Sequence, residues 1–197
     1  MRVRHSRGVT LIELMVTIAV LAILAMLAAP SFADFFQRYR LRGAAEEVTS
    51  LVANARAEAL MRNRNVGVVF AGTGENWCVG AVSTPDPAGG TLVPNVANCD
   101  CTVAPASSTC KLGDRVTLVN GSEHDGVAVS SAASPAALTF DRLTGAVNPL
   151  TGTTATLQSP NDKYSLRIQV TALGRALLCV PDGSPAMAGF KTCGASQ

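Results

Sequence analysis

The sequence predicts an α+β chain in which one long amino-terminal helix, apolar in its first half, packs by its second half on an antiparallel β-sheet head. Three observations carry this expectation. Apolar residues run almost without interruption from Val9 to Ala29. Beyond that run they recur at three- and four-residue spacing to about residue 64, which is helical period. After Asn65 the text changes to short β-like runs separated by Gly, Pro, Asn and Ser, the pattern of strands and turns.

The apolar run is about twenty residues long, enough to cross a bilayer. Arg2, Arg4 and Arg7 precede it. Positive charge is retained on the cytoplasmic side, so the carboxyl-terminal body is placed outside. A secretory signal peptide is the other reading of a basic leader, and "LAAPSFA" has the small residues of a cleavage site. The run is too long for an ordinary signal h-region. The three leader arginines account for the formal charge of +2, and what remains is nearly neutral. A neutral body argues against a general electrostatic grip on nucleic acid, while leaving room for a local basic patch.

Glu13 is the anomaly of this segment. An ionisable group at the centre of a membrane helix costs about 2.5 to 3.5 kcal/mol on insertion scales. Near one end of the run the carboxylate stays close to the interface at lower cost, yet it still calls for a partner.

Pro30 removes one backbone donor and is expected to kink the helix rather than end it. Past it, Leu41, Ala44, Val48, Leu51, Ala55 and Ala59 form an apolar stripe. Arg42, Glu46, Ser50, Asn54, Glu58 and Arg62 form the opposite face, with Arg42–Glu46 and Glu58–Arg62 set for i,i+4 ion pairs. A helix from 10 to 64 is about 80 Å long. Its second half is read as one wall of the head. Expected strands are 66–71, 116–120, 126–131, 136–141, 164–170 and 176–180. The clearest is "YSLRIQV", where Tyr164, Leu166, Ile168 and Val170 alternate with Ser165, Arg167 and Gln169. Residues 83–110 lack periodicity and read as a loop-rich insertion.

The stretch "RGVTLIELMVTIAVLAILAMLAAPSF" resembles the amino terminus of type IV pilins and pseudopilins: a basic leader ending in glycine, a glutamate five residues on, then an unbroken apolar run. Val9 stands where the family usually has phenylalanine. The resemblance implies cleavage after Gly8 by a prepilin peptidase, N-methylation of Val9, and pairing of Glu13 with the freed amino group of a neighbouring subunit, which sets axial register. It also implies a membrane-anchored subunit with a periplasmic head. Its partners would be other pilins or pseudopilins and an inner-membrane assembly platform. The chain then divides into a leader at 1–8, a membrane or filament-core helix at 9–30, an amphipathic helix at 31–64 and a β head at 65–197.

"FDRLTGAV" (140–147), "GRALLC" (174–179) and the cysteine-bearing "NWCVG" (76–80) and "NCDCT" (98–102), read as loops, narrow the resemblance to the GspH/FimT family of pseudopilins and minor pilins. That implies a scarce, non-enzymatic subunit that initiates or caps a type IV pilus, the cysteine-rich loops leaning that way. The runner-up is the H-type minor pseudopilin of type II secretion. Some family members bind DNA through a Gly-Arg-x-Arg turn. Here the stretch is Gly174-Arg175-Ala176-Leu177, so the second arginine is replaced. Phosphate binding draws on several cations at once. Arg167 and Lys191 are the candidates to compensate, and a solvated turn arginine is the preferred reading of Arg175.

Six cysteines, all beyond the apolar run, fit an oxidising compartment and disulfides. Cys179 and Cys193, fourteen residues apart across a turn-rich segment, are expected to pair; the resemblance supports this, and the bond would contribute about 3 kcal/mol. Cys99 and Cys101 are too close to bond each other, so one is expected to pair with Cys78 and the other with Cys110. Zinc is the competing use of four neighbouring cysteines, but C-x-C departs from the usual C-x₂₋₄-C pairs. No cofactor, metal or catalytic residue is expected. His124, between Glu123 and Asp125, reads as a surface turn.

Overall fold

The computed structural model describes residues 9–83, 96, 99–103 and 109–194, the side chains of 28–31 excepted. Gly8 and most of the 83–110 insertion therefore lie outside the described residues. Among the described residues one helix, α1 (Leu11–Arg62), precedes eleven strands. They are β1 (Val66–Thr73), β2 (Asn76–Ser83), β3 (Lys111–Leu112), β4 (Arg115–Val116), β5 (Leu118–Asn120), β6 (Ala128–Ser134), β7 (Ala137–Phe140), β8 (Val147–Asn148), β9 (Thr153–Gln158), β10 (Ser165–Val170) and β11 (Ala176–Cys179). A 3₁₀ turn, Gly121–Glu123, links β5 to β6.

The chain falls into two compact units, Met1–Phe36 and Gln37–Gln197. The second half of α1 thus belongs with the strands. The helical assignment passes through Pro30, while the kink expected there concerns side chains outside those described.

In the second unit the stripe Leu41, Ala44, Val48, Leu51, Ala55 and Ala59 is buried, and Ala45 and Val52 widen it. Arg42 pairs with Glu46, and Arg62 with Glu58, each at 2.7 Å. Both pairs sit largely at the surface and contribute only a few tenths of a kcal/mol. The helix ends where Asn63 turns to φ 51 and the Arg64 N–H reaches the Ala59 carbonyl at 3.1 Å. Asparagine tolerates that left-handed conformation better than most residues, so it caps the helix and releases the chain into β1.

Two antiparallel sheets receive the helix. Their orders are β5-β2-β1-β7-β8 and β11-β10-β9-β6, with β3–β4 a separate short hairpin. Val66, Val68, Phe70, Leu138, Phe140, Leu157, Leu166 and Ile168 join the helix stripe in one core. Because side chains alternate, the other face of β1 and β2 carries Val69, Ala71, Cys78 and Val82. These form a second, smaller cluster with Cys99, Cys101 and Cys110.

The strand expectations are corrected in three places. "NWCVG" is not a loop but the start of β2, buried along most of its length because both faces are covered. The 116–120 run breaks at Thr117, whose N–H bonds the Cys110 carbonyl and whose carbonyl accepts from Ala81. "TTATLQ", not anticipated as a strand, is β9; its buried Thr153 hydroxyl donates to the Pro135 carbonyl at 2.6 Å, which removes the cost of burying it.

Candidate functional site

The first unit presents its chemistry at the start of α1. Thr10 precedes the helix, and its Oγ1 accepts a hydrogen bond from the Glu13 N–H at 3.3 Å. Leu14 N–H bonds the Thr10 carbonyl at 3.2 Å. With Thr10 as N-cap, Glu13 is the third helical residue, the Thr-x-x-Glu arrangement of a capping box. A carboxylate there also faces the positive end of the helix dipole. Thr10 escaped the sequence reading, although Thr-x-x-Glu before an apolar run was its available signal.

From Leu11 to Leu27 every residue is exposed. Leu11 is 78% exposed, Val20 50% and Leu27 72%, so the helix is apolar around its circumference with no neighbour against it in the single chain. The one hydroxyl deep in the run, Thr17, donates to the Leu14 carbonyl at 2.8 Å and so presents no unsatisfied donor. Among the described residues no single helix is long and apolar enough to cross a membrane; Leu11–Leu27 and Phe32–Arg62 meet that requirement only together.

In the head the cysteines are joined as Cys78–Cys101, Cys99–Cys110 and Cys179–Cys193. The six thiols are consumed, which leaves no thiolate for zinc. Gly80 makes the arrangement possible. A Cβ at that position would stand 2.5 Å from Cys110 Sγ and 2.8 Å from Cys99 Sγ, so only glycine lets that bridge lie over β2. Asp100, between the bridged cysteines, accepts from the Thr102 hydroxyl at 2.6 Å and its N–H at 2.9 Å, and these bonds lower its pKa.

His124 requires a correction. It occupies a turn, but it is no solvated surface residue: its side chain is only 13% exposed, stacks on Trp77 at 5.9 Å and 7°, and places Nε2 3.0 Å from Glu47 Oε2. The Trp77 indole draws it in. Its Nε1 donates to the Val127 carbonyl at 2.8 Å, and a Cβ at Gly121 would collide with it. The result is a clasp between α1 and the β5–β6 connection.

Other clasps involve helix arginines. Arg38 lies over the Tyr164 ring at 5.3 Å, Arg42 over Phe190 at 5.5 Å, and Arg56 Nε donates to the Gly145 carbonyl at 3.0 Å. Sequence periodicity assigned this face to solvent; long side chains lying over aromatic rings are what it could not show.

Arg175 is exposed on the β10–β11 turn, which closes through Thr171 N–H to the Arg175 carbonyl and Gly174 N–H to the Thr171 carbonyl. Arg167 pairs in register with Cys179, about 13 Å along the strand from Arg175. Lys191 stands at that same far end, where its carbonyl accepts from Val180 N–H. Arg167 and Lys191 are therefore near the Cys179–Cys193 bridge, and neither joins Arg175. A cavity of about 230 Å³ between the helix and the sheets is lined by Val48, Phe70, Trp77, Val129, Leu157 and Ile168 among others. That lining offers no convergent acid, base or nucleophile of the kind an active site needs.

Comparison with known proteins agrees with this picture. Residues 44–174 match the family described as type II transport protein GspH, and residues 3–29 match the prokaryotic N-terminal methylation motif. No curated protein matches. Among solved structures, the chain is similar to the type IV minor pilin FimU of Pseudomonas aeruginosa in two crystal forms. One aligns at 19% identity and TM-score 0.46, covering 73% of this chain and 91% of that one. The other aligns at 18% and 0.44, covering 70% and 91%. A family match over the larger part of the head, behind an amino-terminal methylation motif, makes this chain a member of the GspH family of pseudopilins and minor pilins.

Proposed function

We propose that the chain is a non-enzymatic minor pilin that helps initiate or cap a type IV pilus. In this reading a prepilin peptidase removes residues 1–8 after Gly8 and Val9 is methylated. The anchored chain waits in the inner membrane with its head in the periplasm. It joins other pilins through the helix on an inner-membrane assembly platform. The observation that carries the reading is the bare helix from Leu11 to Leu27, exposed on all sides with one capped carboxylate at its start. Such a surface is satisfied by lipid before assembly and by other apolar helices afterwards. Glu13 has its backbone bonded and its carboxylate available for a neighbour's amino terminus, which favours one axial register.

A second reading, the minor pseudopilin of type II secretion, is favoured by the description of the matching family. DNA capture at Arg175 is not favoured, because Arg167 and Lys191 stand too far away to build one phosphate-binding patch with it. An in-frame deletion strain, its complemented derivative and the wild type separate the two filament readings. Loss of sheared surface pili, restored by complementation, supports the pilus. Intact pili with loss of extracellular enzyme release transfers the protein to secretion. Both phenotypes unchanged removes the proposal.

A further inference from the structure

We propose that three leucines on neighbouring loop tips form a docking surface for a protein partner that presents apolar side chains rimmed by carboxylates. Leu143, Leu150 and Leu173 occupy the β7–β8, β8–β9 and β10–β11 connections, and they are 72%, 71% and 70% exposed. Turn tips ordinarily carry Gly, Asn, Asp, Ser or Pro. A single exposed leucine needs no explanation, but three on adjoining loops form a patch.

The loops adjoin because their backbones touch. A Cβ on Gly174 would strike the Gly145 carbonyl oxygen, and one on Gly152 would strike the Val170 carbonyl oxygen. Val147 N–H bonds the Ala172 carbonyl at 3.0 Å, joining the two sheets at this end. Leu60 of α1 extends the patch: its Cδ1 lies 3.2 Å from where a Gly145 Cβ would be. Arg56 pins the arrangement through the Gly145 carbonyl.

Charge selects the partner. Arg142 and Arg175 lie in the same two loops as Leu143 and Leu173. The carboxylate among them, Asp141, is turned to its own loop, where Oδ1 accepts from Leu143 N–H, Thr144 N–H and the Thr144 hydroxyl. The patch therefore shows apolar tips and positive charge. Complementary carboxylates around an apolar centre match it. Duplex DNA fits poorly, since three leucines would face hydrated phosphates with two arginines to compensate. The bilayer of the protein's own anchor is also a poor fit, because the patch is at the Arg62 end of the helix, about 39 Å of helical rise from Gln37.

The partner's identity as a fellow filament component rests on the function proposed above. The test uses the full chain in cells, with a photo-crosslinking amino acid placed in turn at positions 143, 150 and 173. Positions 154 and 169, exposed on the outer face of β9 and β10, serve as controls. A further position, 21, lies in the bare helix and reports on helix neighbours alone. The expected result is an adduct to one protein at all three tips and none at the controls. The adducted peptide carries apolar residues flanked by Asp or Glu, and Arg142→Glu with Arg175→Glu lowers the yield about tenfold. Absent tip adducts, equal labelling at the controls, adducts to lipid or nucleic acid, or indifference to the charge reversal would each overturn the inference. Adducts at position 21 to other pilin helices, with none at the tips, would remove this inference and leave the filament reading standing.

Discussion

Gly80 lies directly beneath the Cys99–Cys110 bridge, with no space for a side chain between the strand and the two sulfurs. The strand β2 and the disulfide cluster over it are therefore one structural device: the strand is buried on both faces because the bridges supply a second, small core.

Gly80→Val should prevent that bridge from closing. Thiol counting on denatured, unreduced protein is expected to find none free in the wild type and the Cys99 and Cys110 pair free in the variant. Stability should fall by about 2 to 5 kcal/mol, the usual loss for a native disulfide in a small extracytoplasmic domain. An intact bridge in the variant would contradict the packing described.

Trp77→Phe should leave the Val127 carbonyl without its indole donor and weaken the stack on His124. A loss of about 1 to 3 kcal/mol is expected in chemical denaturation. Phe at the same site retains most apolar contact, so a larger loss would show that the indole does more than hydrogen-bond.

Burial alone would push the Asp141 pKa up. The bonds from Thr144 and Leu143 and the charge of Arg142 outweigh it and hold the group below its ordinary value of 3.8. A depressed folded pKa contributes stability above the unfolded value that is lost as pH falls through the folded one. Asp141→Asn should therefore be less stable than wild type at pH 7, and the two should converge below about pH 3. A difference that persists at pH 2 would mean the asparagine fails for reasons of shape.

Removing the Thr10 cap with Thr10→Ala should cost about 1 kcal/mol of first-turn stability. Amide exchange in detergent micelles is expected to speed up at Glu13, whose N–H loses its acceptor, and to change little beyond the second turn. Uniform speeding along the helix would contradict a local cap.

Much of the fold was legible because its determinants are periodic. The stripe from Leu41 to Ala59 and the alternation in "YSLRIQV" each fix a face, and the buried residues follow them. The strand β2 was not legible, because the outer half of its burial comes from cysteines that are distant in sequence from Val69 and Ala71. The strand β9 was hidden because threonine, polar by composition, is β-branched and fits a sheet once its hydroxyl finds a carbonyl. His124 was misread for a related reason: adjacent charges suggested solvent, whereas the stack on Trp77 is set by a partner 47 positions away. The motif around Gly8, Val9 and Glu13 was plain from its spacing. The distance of Arg175 from Arg167 and Lys191 required the strand register.

The most direct test of the account is the amount of this chain recovered in sheared filaments from cells that carry wild-type protein or Glu13→Ala at equal membrane levels. The account predicts that the wild-type chain begins at a methylated Val9 and is present in the filament fraction, whereas the alanine variant is processed but remains in the membrane. Equal recovery of both in filaments would contradict the role assigned to Glu13, and a wild-type chain that still carries residues 1–8 would contradict the account as a whole.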